Sequence, residues 1–214
     1  MTDRPILFSA PMVKALLAGR KTQTRRILKP RKGLTIQDLV DHGEEQKTAL
    51  GTRFICRRDQ VEEPRIVDGD RLWCREAFSY DALDSDRNDR LRMPVWYWAD
   101  GNPEYGDWSR PKPSIHMPRW ASRLTLVVES VKVERLQSIS EADAKAEGIE
   151  PLPSGRYYCG EDEEGEITCR SPVTAYAWLW NSINGEDAWQ ENPWVAAYTF
   201  TAHQTNIDAM AEAA

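Results

Sequence analysis

The chain has 214 residues, of which 41% are hydrophobic and 29% are charged, the balance of a globular protein that can bury a core. No apolar run approaches the roughly 20 residues that a membrane-spanning helix needs, so we expect no membrane segment. The formal net charge of −6 argues against indiscriminate binding to nucleic acids.

Positive charge is concentrated in the first part of the chain. Residues 1–80 hold 16 Lys and Arg against 11 Asp and Glu, whereas residues 81–214 hold 12 against 23. A basic patch on an acidic body suits one anionic ligand better than a long duplex. A solvated face with salt bridges is the alternative interpretation of the same pattern.

The amino-terminal residues and the cysteines bear on the compartment. The amino-terminal residues do not form a basic segment followed by an apolar segment, as a signal peptide does. We therefore expect a cytoplasmic protein with reduced thiols. The four cysteines are Cys56, Cys74, Cys159 and Cys169. Because no Cys-x-x-Cys pair occurs among them, the spacing indicates neither a zinc site nor a disulfide framework. We therefore expect free thiols, no metal and no cofactor.

The first elements are a strand, a helix and an extended segment. Residues 6–8 are predicted to form a short strand, and Ser9 then begins a helix that Gly19 ends. The polar run Arg20 to Arg26 leaves this helix as an extended segment, which suits a functional site. Residues 29–65 are charged and weakly periodic, so we expect a long excursion there.

The middle of the chain alternates between strand signals and loops. A turn at 67–70 leads into a predicted strand over 71–78. Residues 80–118 have the composition of an insertion, with a short strand at 95–98. The clearest strand covers 122–136, and a change of phase within it indicates a bulge of the kind that curls a sheet into a barrel.

Two helices and a strand complete the pattern. Ser140 is the N-cap of a predicted helix that ends at Gly148. Residues 157–170 are acidic and are predicted to form a solvated hairpin or loop. A second helix is predicted over 171–184, and residues 194–200 alternate aromatic and small residues as a closing strand does.

These elements favour an α+β fold, a small mixed β-barrel with flanking helices and loop insertions. Single helices separate the strands without a regular βαβ rhythm, which argues against a parallel doubly wound sheet. We expect one domain over 1–203, with insertions near 29–65, 80–118 and 150–172. Residues 204–214 are expected to form a flexible tail.

The run from Gly19 to Arg26, GRKTQTRR, resembles the Gly-x-Lys-x-x-Thr-x-Arg signature of the ASCH domain, a PUA-like β-barrel family linked to RNA. The turn at Gly69-Asp70 fits the same family, and residues 136–149 resemble the helix that carries the family's glutamate. The resemblance covers most of residues 5–201. It is closest to the small ASCH amidohydrolases that act on N4-acetylcytidine, and the chain is also similar to larger ASCH proteins of phages and prophages.

The resemblance implies that Lys21, Thr24 and Glu147 are catalytic residues. A threonine hydroxyl is a poor nucleophile until a base removes its proton. We expect the neighbouring arginines to lower the pKa of Lys21 so that it can act as that base, and Glu147 is the candidate acid for the leaving amine. The implied reaction is a metal-independent amide hydrolysis of N4-acylated cytidine, or of a related modified nucleoside or nucleotide, through an acyl-threonine.

Five further residues are candidates for substrate binding. They are Arg25, Arg26, Arg75, Trp73 and Trp120. The arginines could stabilise an oxyanion or bind a ribose or phosphate group, and the tryptophans could stack on a base. The alternative for Arg26 is a structural ion pair with Glu76 or Asp70, and the alternative for the aromatic residues is a place in the core.

Other functions remain open on the same residues. A non-catalytic module that binds RNA or a modified base would use the same pocket, and it predicts salt-sensitive binding without chemistry. Ribonuclease activity is less favoured, because the sequence offers no His pair or carboxylate cluster for it. The expected partner is a modified nucleoside or RNA and not a membrane; the oligomeric state is left open, with a monomer the simplest case.

Overall fold

The computed structural model describes residues 1–34, 38, 44–48, 51–81, 94–163 and 165–212. Its contacts divide the chain into two compact units. Unit 1 consists of Met1–Thr22, Val67–Ser130 and Thr199–Ala214, and unit 2 consists of Gln23–Ile66 and Val131–Tyr198. The prediction of one domain with insertions stays a prediction beside this division.

Strands and helices alternate along the described residues. The strands are β1 (Asp3–Leu7), β2 (Gln23–Ile27), β3 (Glu44–Thr48), β4 (Gly51–Ile55), β5 (Arg71–Arg75), β6 (Phe78–Tyr80), β7 (Val95–Tyr97), β8 (Thr125–Arg135), β9 (Tyr157–Asp162), β10 (Gly165–Cys169) and β11 (Trp194–His203). The α-helices are α1 (Ala10–Leu17), α2 (Glu141–Ala146), α3 (Pro172–Asn184) and α4 (Ile207–Glu212). No helix of the described residues is long and apolar enough to cross a membrane.

The largest sheet has the strand order β1-β5-β8-β11-β2. Strand β1 runs parallel to β5, and β5 runs antiparallel to β8, with Leu72 opposite Leu126. The long strands β8 and β11 contribute residues to both units. Three antiparallel pairs lie outside this sheet, β3 with β4, β6 with β7 and β9 with β10. The α+β class is confirmed; the pairing recorded among the described strands does not close a barrel, so the predicted barrel stays a prediction.

Unit 1 begins with the strand, helix and glycine stop that the sequence predicts. Ser9 has the extended backbone of an N-cap, and the helix behind it buries Val13 and Leu16. Gly19 has a φ of 69°, a left-handed conformation that costs glycine little and ends the helix. The amide of Arg20 then donates to the carbonyl of Ala15 at 2.9 Å, so the chain leaves α1 in a fixed direction.

The carboxy-terminal residues of unit 1 differ from the flexible tail that the sequence predicts, because they form helix α4. Ile207 at its start is fully buried. The side-chain amide of Asn206 donates to the backbone carbonyls of Arg119, Trp120 and Ser122 at 2.9, 3.2 and 2.7 Å. One apolar anchor and three hydrogen bonds hold this segment, and the Ala-rich composition of the tail does not reveal either.

The turn before β5 is built around the buried carboxylate of Asp70 in unit 1. The backbone amides of Thr2 and Val67 donate to it at 2.7 and 3.3 Å, and the Nε of Arg4 donates at 3.4 Å. Gly69 takes a φ of 83° in this turn. The predicted turn at 67–70 is therefore confirmed, and its aspartate joins the start of the chain to the entrance of β5.

We expect Asp70→Asn to lower the free energy of unfolding by roughly 1.5–3 kcal/mol near neutral pH, because the charge-assisted hydrogen bonds weaken. Burial alone raises the pKa of Asp70, but the bonds from Thr2, Val67 and Arg4 outweigh burial and lower that pKa. A carboxyl with a lowered folded pKa adds stability above its unfolded pKa, about 3.9. That stability disappears as the pH falls through the folded pKa, so the difference between wild type and variant should shrink in acid.

Urea denaturation of both proteins at about pH 7, 5 and 3 measures this difference. Asp68→Asn is the matched control, because Asp68 is an exposed carboxylate of the same turn and should show no such deficit. A deficit for Asp70→Asn that was as large at pH 3 as at pH 7 would contradict the expectation.

Unit 2 packs α2 and α3 together, and both helices begin as predicted. The Ser140 hydroxyl accepts a hydrogen bond from the amide of Asp143 at 3.1 Å, which closes the predicted capping box. The Ser171 hydroxyl accepts from the amide of Val173 at 3.2 Å. The apolar cluster around the helices consists of Leu136, Ile139, Ala144, Tyr176, Trp180, Ala188 and Val195. This packing fixes the carboxyl end of α2, which is where Glu147 follows.

The predicted acidic hairpin is present in unit 2 as β9 and β10, and it corrects the prediction about cysteines. Cys159 and Cys169 are joined as a disulfide, with their Cα atoms 6.2 Å apart, a separation that a disulfide commonly spans. Cys56 and Cys74 are not part of a disulfide. The expectation of free thiols is wrong for the first pair, because the antiparallel pairing of the hairpin, and not a short sequence spacing, brings the two sulfurs together.

Part of the predicted excursion at 29–65 belongs to the core of unit 2. Leu28 and Val61 are buried in one apolar cluster with Ala196 and Tyr198. The antiparallel β3–β4 pair also lies in this segment. The remainder of the excursion, residues 35–37, 39–43 and 49–50, and residues 82–93 of the predicted insertion at 80–118, lie outside the described residues.

Candidate functional site

Strand β2 carries an unusual run of buried polar side chains. Gln23, Thr24 and Arg25 are all buried, although strand interiors of this kind are ordinarily apolar. The strand stands last in the order of the large sheet. Buried polar groups need partners, and the partners of these three residues define the candidate site.

Thr24 and Arg26 contact each other directly. The Nη1 of Arg26 donates to the Oγ1 of Thr24 at 3.2 Å and to the carbonyl of Arg25 at 3.2 Å. Thr24 is 1% exposed, so its hydroxyl oxygen lies in a desolvated position beside a guanidinium. A cation at this distance favours negative charge on the hydroxyl oxygen or on a group bonded to it.

Arg25 is the centre of a buried ionic cluster in unit 2. Its Nη1 donates to Gln23 Oε1 at 2.5 Å and to Glu147 Oε1 at 3.2 Å. Its Nη2 lies 2.8 Å from Glu134 Oε1 and 3.5 Å from Asp143 Oδ2. Burial alone lowers the pKa of Arg25, but the charges of Glu147 and Glu134 outweigh burial and raise that pKa. The guanidinium is therefore permanently charged.

Glu147 follows helix α2 as its C-cap residue and is 5% exposed. The phenol of Tyr176, on α3, donates to the same Oε1 atom that Arg25 contacts, at 3.4 Å. Burial, and then the charge of Glu147, raise the pKa of Tyr176 well above its ordinary value. The phenol therefore stays protonated and serves as a donor to the Glu147 carboxylate.

Lys21 lies in unit 1, between α1 and β2. Its backbone amide donates to the carbonyl of Ala15 at 3.1 Å, and its Nζ is 5.9 Å from the ring centre of Phe8. The side chain is 1% exposed, which is rare for a lysine and typical of one with a structural or chemical task. Its burial sets it apart from the exposed neighbours Arg20 and Thr22.

The predicted residues thus divide between the units. Unit 2 brings Thr24 into contact with Arg26, and Arg25 into contact with Glu147. The other predicted residues, Lys21, Trp73, Arg75 and Trp120, belong to unit 1. The catalytic assignments of Lys21, Thr24 and Glu147 stay predictions.

The candidates on β5 and near it pack against their neighbours. The guanidinium carbon of Arg75 lies 4.5 Å from the ring centre of Trp73, which is 6% exposed. The Nη1 of Arg75 donates to the carbonyl of Ile115 at 3.1 Å. Trp120 stacks on Tyr80 with ring centres 6.0 Å apart. A role in substrate binding stays a prediction for all three candidates.

The carboxylates named as alternative partners of Arg26 have other arginines beside them. In unit 1, Asp70 lies 3.4 Å from Arg4, and Glu76 lies 2.8 Å from Arg123. Arg123 also pairs with Asp100 at 2.7 Å. These ion pairs lie within unit 1, and they were not predicted because the partners lie far apart in the sequence.

The sequence analysis did not identify three members of the Arg25 cluster, which are Glu134, Asp143 and Tyr176. Asp143 and Glu147 stand four positions apart at the end of one helix, a spacing that places both side chains on one face and could have indicated a shared partner. Glu134 and Tyr176 carry no such signal, since they come from β8 and α3. Only the packing of unit 2 brings them to Arg25.

Unit 2 contains a cavity of about 440 Å³. Its lining includes Gly148, Ile149, Tyr158, Cys159 and Trp178. The volume is within the range of small-molecule sites. Among the residues that the structure describes, no group of three or more His, Cys, Asp or Glu side chains is arranged to hold a metal ion.

Comparisons with known proteins give no relative from which a function could be transferred. No family model, no curated protein and no solved structure matches the chain. The function is therefore inferred from the side chains of the site and from the motif that carries them.

Proposed function

We propose that the protein is an amidohydrolase of the ASCH type, on a PUA-like β-barrel, which acts without a metal on N4-acylated cytidine or a related modified nucleoside or nucleotide. The observation that supports this most is the buried Thr24 hydroxyl with the Arg26 guanidinium 3.2 Å from its oxygen. The same strand holds the buried carboxylate of Glu147 through Arg25. The motif GRKTQTRR supplies the remaining member, Lys21.

In the first step, the Thr24 Oγ1 attacks the carbonyl carbon of the N4-acyl group and gives its proton to a base, the role that the motif assigns to the amine of Lys21. A tetrahedral intermediate forms, and its oxygen carries the negative charge. The Arg26 guanidinium, already beside Oγ1, stabilises that charge more than it stabilises the neutral substrate. Arg26 thereby lowers the barrier of the attack.

In the second step, the bond between the carbonyl carbon and the cytosine N4 breaks. Glu147, acting as the acid, passes to N4 the proton that Lys21 took from Thr24, so that cytidine leaves with a neutral amino group and Lys21 and Glu147 return to their starting charges. An ester between the acyl group and Thr24 remains. Water then attacks this ester, and the proton that the water loses passes through Lys21 or Glu147 to the Thr24 oxygen, so that the acid and the free Thr24 hydroxyl are regenerated.

The proposal is tested by incubating the purified protein with N4-acetylcytidine and measuring cytidine and acetate. We expect equal amounts of the two products, and the same rate after EDTA treatment. The alternative is a module that only binds RNA or a modified base. Salt-sensitive binding of N4-acetylcytidine-containing RNA without any release of acetate, from nucleoside or RNA, would overturn the enzyme and support that module.

A further inference from the structure

The buried cluster around Arg25 has a feature that substrate binding does not explain. The Arg25 side chain is 0% exposed, and both of its Nη atoms already contact protein side chains. A phosphate or ribose could reach this guanidinium only if the cluster came apart. Arg25 therefore acts on its protein partners and does not contact a ligand.

The cluster also carries a large electrostatic cost that a purely structural contact would not require. Arg25 faces the carboxylates of Glu134, Asp143 and Glu147, while Lys132 lies 2.6 Å from the other oxygen of Glu134. Three carboxylates thus lie around the fully buried guanidinium of Arg25, and two of them, Glu134 and Glu147, are themselves buried. Apolar side chains of similar volume would often stabilise such a region as well or better.

The geometry of the cluster converges on one carboxylate oxygen. Arg25 Nη1 and the Tyr176 phenol donate to Glu147 Oε1 at 3.2 and 3.4 Å. Arg25 also lies 3.5 Å from Asp143, one turn earlier on α2. The Arg25 guanidinium therefore connects strand β2 to two carboxylates, that of Asp143 in the last turn of α2 and that of Glu147 directly after this helix. Two donors on one oxygen fix the rotation of the carboxyl group.

We propose that Arg25 and Tyr176 are positioning residues that hold the Glu147 carboxyl in the orientation from which it protonates the departing cytosine amine. This inference rests on the proposed amidohydrolase function. It reassigns Arg25 from substrate binding to the support of the catalytic acid. Arg25 then affects the rate of the chemical step and leaves substrate affinity nearly unchanged, because it does not touch the substrate.

A double-mutant cycle tests the inference on the full chain with N4-acetylcytidine. Arg25→Lys keeps the positive charge but removes the planar guanidinium with its two Nη donors. We therefore expect kcat to fall roughly 10–100-fold, with KM within about twofold of wild type. In a Glu147→Gln background, which has no acid to position, Arg25→Lys should lower kcat by less than about threefold. Tyr176→Phe keeps the buried ring and should behave in the same way, so it decides the question if Arg25→Lys does not fold.

The matched control is Arg123→Lys, which alters a bidentate ion pair of unit 1 with Glu76 and should leave kcat unchanged. If Arg25→Lys or Tyr176→Phe lowered kcat by the same factor in the Glu147→Gln background as in the wild type, the inference would be overturned. The proposed amidohydrolase function would not be affected by that result. A rise in KM with kcat unchanged would also overturn it, since that is the result expected of a substrate-binding arginine. A wild-type protein without turnover overturns the proposed function, and this inference with it.

Discussion

Replacing Thr24 with alanine should reduce the release of cytidine from N4-acetylcytidine by at least about 10³-fold, because the proposed reaction loses its nucleophile. Thr24 is buried and accepts a hydrogen bond from Arg26. Alanine is smaller than threonine and leaves the strand intact. We therefore expect normal folding, seen by circular dichroism, together with almost complete loss of kcat measured by chromatography of the products.

The matched control is Thr22→Ala, which makes the same chemical change two positions earlier at an exposed residue. It should keep activity within about twofold of wild type, since the Thr22 side chain is exposed and has no part in the proposed reaction. A sharper form of the test traps the intermediate. Rapid acid quenching and mass spectrometry should detect an acyl group on the peptide that contains Thr24, and not after Thr24→Ala. Retained turnover in folded Thr24→Ala would remove the nucleophile assignment.

Replacing Arg25 with alanine should lower the free energy of unfolding by about 3–5 kcal/mol, the usual result of removing one partner of a buried ion pair. The cause is what remains behind. Glu134 and Glu147 are both buried, and each loses the guanidinium that contacts it. Since a domain is stable by about 5–15 kcal/mol in total, the variant should have a much lower midpoint in urea denaturation.

Two comparisons separate this explanation from a simple loss of side-chain volume. Arg65→Ala is the control, because Arg65 forms an exposed pair with Glu62 at 3.5 Å; it should cost less than about 1 kcal/mol. Arg25→Met combined with Glu147→Leu should be more stable than Arg25→Met alone, since one orphaned charge is removed. If Arg25→Ala proved no more harmful than Arg65→Ala, the cluster would not contribute to stability.

The ends of the helices could be predicted from the sequence because each depends on a few neighbouring residues. Ser9, Ser140 and Ser171 all occupy N-cap positions. Gly19 and Gly148 have φ values of 69° and 101°, conformations that glycine adopts with little cost. The strand signals before 80 and after 120 were also correct in kind, because alternation of apolar and polar residues reports which face of a strand is buried.

The disulfide and the carboxy-terminal helix, neither of which the sequence predicts, share one physical origin, contacts between residues far apart in the sequence. Cys159 and Cys169 belong to no recognisable sequence motif. The pairing of β9 with β10 brings them close enough to form a disulfide. The tail gave an Ala-rich composition, yet burial of Ile207 orders it as α4. In both cases the local sequence offers a weak preference, and a tertiary contact worth more than that preference decides the structure.

The candidate site shows the same division between the sequence and the tertiary structure. By itself the sequence determined that GRKTQTRR follows a helix that ends at Gly19 and that Glu147 follows a capped helix, since both depend on local backbone geometry. Only the tertiary structure decided that Arg25 bonds Glu134 and Glu147, which are 109 and 122 positions away. A charged side chain is buried only where groups of opposite charge contact it. The packing of β2, β8 and α2 in unit 2 decides where those groups come together.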